Sequence, residues 1–496
     1  MYISIGMFLI SVGGIIFILP VLMKSNQSLN VTINSHLCIE NDIKKAELED
    51  PNQALYLSLM YISFALIGIG SAPLFTIAIK YIFETFSEER TPIFNSIFGM
   101  CQMLGTMIVF VFSKFILKIH IFPWKNNHPK ITQEQETWVG AYWLIYLVGS
   151  VILFVLMIIN LILTRINTRL RQIETHTNNQ GPSYSISEFI KCTMGIIRDV
   201  KLFVIIVSYA FLNLAKNSLG NYVHRYAEIQ FHVSSGKASL YAGASAVFST
   251  IIGLYISSIL MKKYRQNNKA LFIINISTAI ISLISLMCAQ FYCKSIDIKG
   301  LEIKGIIIKN FSPGYSKTCH CKTEDYFPVC VDNSHTVYSP CILGCKNHET
   351  VAGIKNFKNC THPLEFNGKG VIQGKCPKKC SKFFIFIFLG NISVFLICLS
   401  SLTTLQLTMN LSESNSFDVA LGFRSTIARI LLIIGPLIYG SLFDSACTLR
   451  RPILKNAFVS NCIQYNQGKL AILFIGFSSF LTLIYIIGHI FIYFLK

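Results

Sequence analysis

Charge is what this sequence has least of. Asp, Glu, Lys and Arg together supply 14% of the 496 residues, against about 25% in an average soluble domain. Acidic residues are the scarcer sign, 24 against 43 basic, which leaves a net charge of +19. The sequence also contains no phosphate-binding loop, no zinc-protease motif, no nucleophile elbow and no paired cysteines in a cytoplasmic segment. No enzyme constellation and no cofactor is therefore indicated, and a pump carrying its own nucleotide domain is excluded from this chain. No basic patch stands outside the short segments between apolar runs, which argues against a nucleic-acid partner.

Long apolar runs are what the chain has instead. Hydrophobic residues make up 52% and the mean hydropathy is +0.54, which points to an all-α polytopic membrane protein with the lipid bilayer as its surroundings. A span needs about 20 apolar residues, and ten runs qualify: 1–23, 55–79, 93–117, 138–164, 202–222, 238–261, 270–293, 383–411, 417–443 and 470–495. The first is too long and lacks the basic start of a signal peptide. The fourth opens on Trp138, Tyr142, Trp143 and Tyr146, aromatics expected to anchor a helix at the membrane interface. The segment 165–201 carries six basic and three acidic residues and divides four spans from six. Residues 1–164 are expected to form a first bundle, 165–201 a cytoplasmic linker, and 202–293 with 383–496 a second bundle interrupted by an extracellular insert at 294–382. Lys262-Lys263-Tyr264-Arg265 and Lys269, without an acidic residue, mark another cytoplasmic hinge by the positive-inside rule.

The insert is polar and rich in cysteine. Cys319, Cys321, Cys330, Cys341, Cys345, Cys360, Cys376 and Cys380 are half of the chain's 16 cysteines. Eight in about sixty residues suit a small oxidised module with too little core to hold itself. Cys319-His320-Cys321 also permits a zinc reading. Glycosylation acceptors at Asn310 and Asn359, together with Asn26 and Asn30 in the first polar loop, favour disulfides on an exterior face over metal. Counting spans outward from that face puts both termini inside.

Charges within the spans are the candidate site residues, because an ion in a bilayer usually faces a cavity or a partner. Arg429 would lie about 18 Å along its helix at about 1.5 Å per residue, past the middle of a core about 30 Å thick. There it can hold a sulfate or carboxylate bidentately or serve a structural ion pair. Arg424, about 10 Å in, is expected to snorkel to the interface, with a place in the cavity as the alternative. Lys216 stands evenly between cavity and interface. Lys262, at the inner end of its span, is expected to set topology or line the path.

Several motifs, in order along the chain, resemble the organic anion transporting polypeptides, a branch of the major facilitator superfamily. Trp138-Val139-Gly140-Ala141-Tyr142-Trp143 keeps the core of the family's hallmark sequence, while its Asp, its Arg and one Gly are missing. Gly68-Ile69-Gly70-Ser71-Ala72-Pro73 is similar to its fourth span, and Tyr226 to Phe231 with Val233 to the segment before its eighth. Pro328-Val329-Cys330 through Tyr338-Ser339-Pro340-Cys341 and Cys345 resembles its Kazal-type loop. Ala420-Leu421-Gly422-Phe423 through Arg429, Pro436, Gly440 and Asp444 resembles its eleventh span, with Cys447 and Cys462 as the external disulfide pair that follows.

The resemblance implies a two-bundle major facilitator fold of four plus six spans, the family's first two spans lacking, either as a natural short form or an incomplete gene. It implies sodium-independent uptake of amphipathic organic anions, sulfated or carboxylated, by rocking of the bundles at the plasma membrane, and it strengthens Arg429 as a binding residue. Two family cysteines are replaced by Gly314 and His362, which is expected to leave the eight of the insert to pair among themselves. A family histidine is Val21 here, which removes one route to pH stimulation. Two other readings stay open: a non-transporting form that partners a longer relative, and a membrane-displayed Kazal-type inhibitor.

Overall fold

The computed structural model of the chain describes residues 2–25, 37–38, 53–87, 90–116, 119–124, 140–174, 186–233, 235–293, 295–304, 307–311, 319, 321, 326–351, 354–360, 370–376, 380–412, 417–450 and 462–495. The acceptors Asn26 and Asn30, and the ring of Trp138, lie outside them.

Four long helices come first: α1 (Tyr2–Ser25), α2 (Gln53–Thr85), α3 (Thr91–Ile116) and α4 (Trp143–Glu174). The linker is partly helical, for α4 runs on to Glu174 and α5 (Ile186–Arg198) follows. Then come α6 (Val200–Phe231), the single turn α7 (Ser235–Ala238), a π-helical turn at Ser239–Ala244, α8 (Ser245–Tyr264) and α9 (Asn268–Cys288). Beyond the insert lie α10 (Lys382–Leu411), α11 (Phe417–Ser445) and α12 (Gln467–Phe494). Among the described residues nine helices are long and apolar enough to cross a membrane, and α3 adds a shorter apolar stretch, Ile93–Val109. The chain is a multi-pass membrane protein.

In the first group α1 packs between α2 and α4. Without a hydrophobic driving force in lipid, such packing depends on small residues and shared hydrogen bonds. A Cβ on Gly70 would stand 2.6 Å from the Gly6 carbonyl oxygen, so only glycine allows α1 and α2 this approach. Ser63 Oγ donates to the Gly13 carbonyl at 2.7 Å, and Ser11 Oγ to that of Ser150 at 2.9 Å. Trp143 is no interface anchor: it is buried against Ile18, Val21 and Phe122, and its Nε1 donates to the Ile121 carbonyl at 2.9 Å. Tyr146 likewise stacks on Phe17, ring centroids 4.0 Å apart. These aromatics turn inward because α1 offers them an apolar partner that sequence position did not reveal.

The second group is built around α6 and α10. The α9–α10 seam is polar, with Thr278 and Ser400 hydroxyls 2.7 Å apart and Ser282 and Ser393 likewise 2.7 Å. At the end that the cysteine-rich insert occupies, Gln230 Nε2 donates to the Gln467 carbonyl at 2.7 Å, fixing α6 to α12. The two groups meet chiefly where α3 crosses α8, Gly99 against Leu254, and more lightly where α2 meets α11.

Two sheets cap one end. One holds β1 (Ile298–Lys299), β4 (Val329–Val331), β5 (His335–Val337), β6 (Asn347–Val351), β7 (Ile354–Lys358) and β8 (Val371–Gln373), in the order β1-β5-β4-β8-β7-β6. The other joins β2 (Leu301–Lys304) and β3 (Ile307–Phe311) of the insert to the hairpin β9 (Cys447–Arg450) and β10 (Cys462–Tyr465). Leu37, Leu449 and Ile463 enter the core of the module, so three separate loops share it. Asn310 lies on β3, and Asn359 is exposed with a left-handed backbone, φ 54°.

The eight cysteines of the insert do not pair among themselves. Three bonds are internal, Cys321–Cys341, Cys330–Cys376 and Cys345–Cys360. Cys319 bonds Cys38 of the α1–α2 loop, and Cys380 bonds Cys293 below the insert. Cys447–Cys462 closes the hairpin. An even count was compatible with internal closure, but Cys38 and Cys293 lie at the same end of the molecule and claim two of the eight.

Candidate functional site

Between the two groups is a cavity of about 700 Å³, walled by α2, α3, α6, α10 and α11. That volume falls within the range of about 300–1,000 Å³ of small-molecule sites. Its chemistry is sorted by wall.

The wall from α11 carries the charge. Leu421, Arg424, Ser425, Ala428, Arg429 and Leu432 recur at three- and four-residue steps, so they share one helical face, and all line the cavity. The expectation that Arg424 snorkels is overturned: it is 5% exposed. Its guanidinium carbon lies 3.7 Å from the Tyr209 ring centroid, and its Nη2 donates to the Ser401 carbonyl at 3.2 Å. Ser401 Oγ in turn reaches the Tyr209 hydroxyl at 3.4 Å. Depth along a helix gave the wrong role because it does not say which way the side chain faces. Arg424 Nε finds no partner among the described residues. Arg429, half-buried, lines the same cavity one turn further on.

Among the described residues that line the cavity there is no Asp or Glu. A buried cation without a carboxylate is costly unless an anion or a π face offsets it. Tyr209 supplies the π face, and the cavity leaves room for the anion.

The other two candidates stand elsewhere. Lys216, half-buried on α6, lies near Cys398 and Tyr209 and is not among the cavity's described lining residues. Lys262 is exposed in the last turn of α8 and does not line the cavity.

Sequence reasoning missed the amides. Asn213 and Asn217 of α6 line the cavity, and Asn217 Nδ2 donates to Asn213 Oδ1 at 2.9 Å. Asn95 and Gln102 of α3 line the opposite wall with Phe98, Gly99 and Met103. The available signal was spacing, four residues in α6 and seven in α3, which stacks polar side chains on one face of an apolar helix. Among the described residues no His, Cys, Asp or Glu cluster is arranged to hold a metal ion.

Residues 1–470 match the model of the Organic Anion Transporter Polypeptide (OATP) family. The chain is 24% identical to solute carrier organic anion transporter family member 1B1 of Homo sapiens, over 97% of its own length and 78% of the relative's. It is 21% identical to member 4C1 of Mus musculus, over 96% of this chain and 69% of that one. Among solved structures it is similar to the E. coli fucose:proton symporter FucP, at 11% identity and a TM-score of 0.46, covering 99% of this chain and 83% of the symporter.

Proposed function

This chain belongs to the Organic Anion Transporter Polypeptide family, and from that premise we propose that it carries amphipathic organic anions, sulfated or carboxylated, across the plasma membrane. Transport is sodium-independent and proceeds by alternating access, the two helix groups rocking about the cavity between α3 and α11. The observation that carries this reading is a cavity of about 700 Å³ that holds Arg424 and Arg429 and has no carboxylate among its described lining residues. An organic anion offers the buried Arg424 guanidinium a negative charge beside its Tyr209 ring, and Leu402, Leu405, Leu421, Phe98 and Met103 of the same lining accept its apolar body.

Arg429 receives the anionic head and Arg424, held over the Tyr209 ring, strengthens the field there. The cysteine-rich module and the acceptors Asn310 and Asn359 support an extracellular face at the capped end. The test is uptake of radiolabelled estradiol 3-sulfate by cells expressing the full chain, in sodium and in sodium-free medium. Saturable uptake in both media is expected. Uptake lost on sodium removal would overturn the coupling mode, and no uptake of this or a matched carboxylate would overturn the reading as a whole.

A further inference from the structure

One carboxamide of the cavity has neither its donor nor its acceptor paired among the described residues. Asn95 of α3 is 6% exposed and lines the cavity, and neither its Nδ2 nor its Oδ1 has a hydrogen-bond partner among the described residues. Its neighbours differ in this respect. Asn217 Nδ2 donates to Asn213 Oδ1, and Arg424 has the Ser401 carbonyl and the Tyr209 ring. Buried polar groups are nearly always paired, and one left unpaired in a native protein calls for a reason. A carboxamide offers two donors and one acceptor atom, so with both ends unpaired it complements a hydroxyl, which both donates and accepts. The wall around it is otherwise Phe98, Gly99 and Met103, with Gln102 two turns along, while both guanidiniums belong to α11.

Resting on the transport reading above, we propose that Asn95 is a specificity-determining residue that hydrogen-bonds a neutral hydroxyl or carbonyl of the transported anion. The favoured substrates are then anions with a polar, uncharged group set away from the charged head. The head lies on the α11 wall, the neutral group on α3, and the apolar frame between them. Because α3 belongs to the first helix group and α11 to the second, one such molecule contacts both and is read by both. A pocket that hydrogen-bonds a hydroxyl rejects the analogue lacking it far better than an apolar pocket rejects an added hydroxyl, since the analogue leaves the buried amide unpaired.

The test compares estradiol 3-sulfate with its 17-deoxy analogue, which keeps the sulfate and ring frame and lacks only the hydroxyl. In the unmodified protein KM is expected to be about tenfold lower for the hydroxylated compound. Asn95→Leu, of similar volume and apolar, should reduce that ratio to under twofold by raising KM for the hydroxylated compound more than for the deoxy analogue, measured at matched surface abundance. Asn95 acting merely as a packing residue would lower uptake of both compounds together, and that result overturns the proposal. Equal KM values in the unmodified protein overturn it without any variant, so a variant that fails to reach the surface does not shield it. Uptake of neither compound overturns the transport reading itself, whereas equal uptake of both leaves transport standing and removes only the role of Asn95.

Discussion

Arg424 lies over the Tyr209 ring, its guanidinium carbon 3.7 Å from the ring centroid, while the same side chain donates to the Ser401 carbonyl at 3.2 Å. The stack joins α11 to α6 and the hydrogen bond joins α11 to α10, so one cation ties three helices of the second group at the cavity wall. A planar, weakly hydrated ion suits that position and a compact ammonium does not.

Arg424→Lys should therefore not rescue function. It keeps the charge but gives up the planar stack and the fork, and kcat/KM for estradiol 3-sulfate should fall about tenfold, the equivalent of about 1.4 kcal/mol. Tyr209→Leu, which removes the π face, should produce a loss of the same order. Uptake normalised to surface-biotinylated protein measures both.

The Cys38–Cys319 bond spans 281 residues and links the first helix group to the module carried by the second. With a protease site inserted between α4 and α5, the two fragments should migrate together after cleavage and separate only on reduction. In Cys38→Ser they should separate without reductant. Non-reducing electrophoresis reads the difference directly.

Gly70 faces the Gly6 carbonyl so closely that any Cβ must displace backbone. Gly70→Leu should cost about 2 kcal/mol or more, the usual scale of overpacking, and reduce folded protein as measured by thermal aggregation in detergent. Gly68, with open space around its Cβ position, should tolerate alanine.

His348 in β6 titrates below its ordinary value, because partial burial and then the nearby Lys355 both disfavour its cation. Above pH about 6.5 the imidazole is neutral folded and unfolded alike, so its contribution is fully present. As pH falls below that value the unfolded chain takes up the proton first, and stability is lost until the folded pKa is passed. Protection factors of the β6–β7 amides, referenced to the intrinsic exchange rate at each pH, should thus fall on acidification from pH 7 to 5, and His348→Gln should flatten that dependence.

Much of the architecture was legible because uninterrupted apolar runs leave few alternatives in a bilayer. Arg429 was legible for the same reason, as a cation deep in an apolar span. Arg424 was misplaced because distance along a helix says nothing about which side faces a neighbour. Asn95, Gln102, Asn213 and Asn217 escaped notice because uncharged amides barely alter hydropathy. The bonds of Cys38 and Cys293 were hidden for a different reason: a disulfide joins residues that are close in space, and here the partners lie 281 and 87 positions apart.

The cationic cavity is tested most directly by Arg429→Ala, measured as initial uptake of estradiol 3-sulfate at matched surface abundance. Uptake by the unmodified chain well above that of untransfected cells, falling about tenfold or more in the variant, is the expected result. Robust uptake that survives the substitution unchanged would contradict a cavity whose charge selects the cargo.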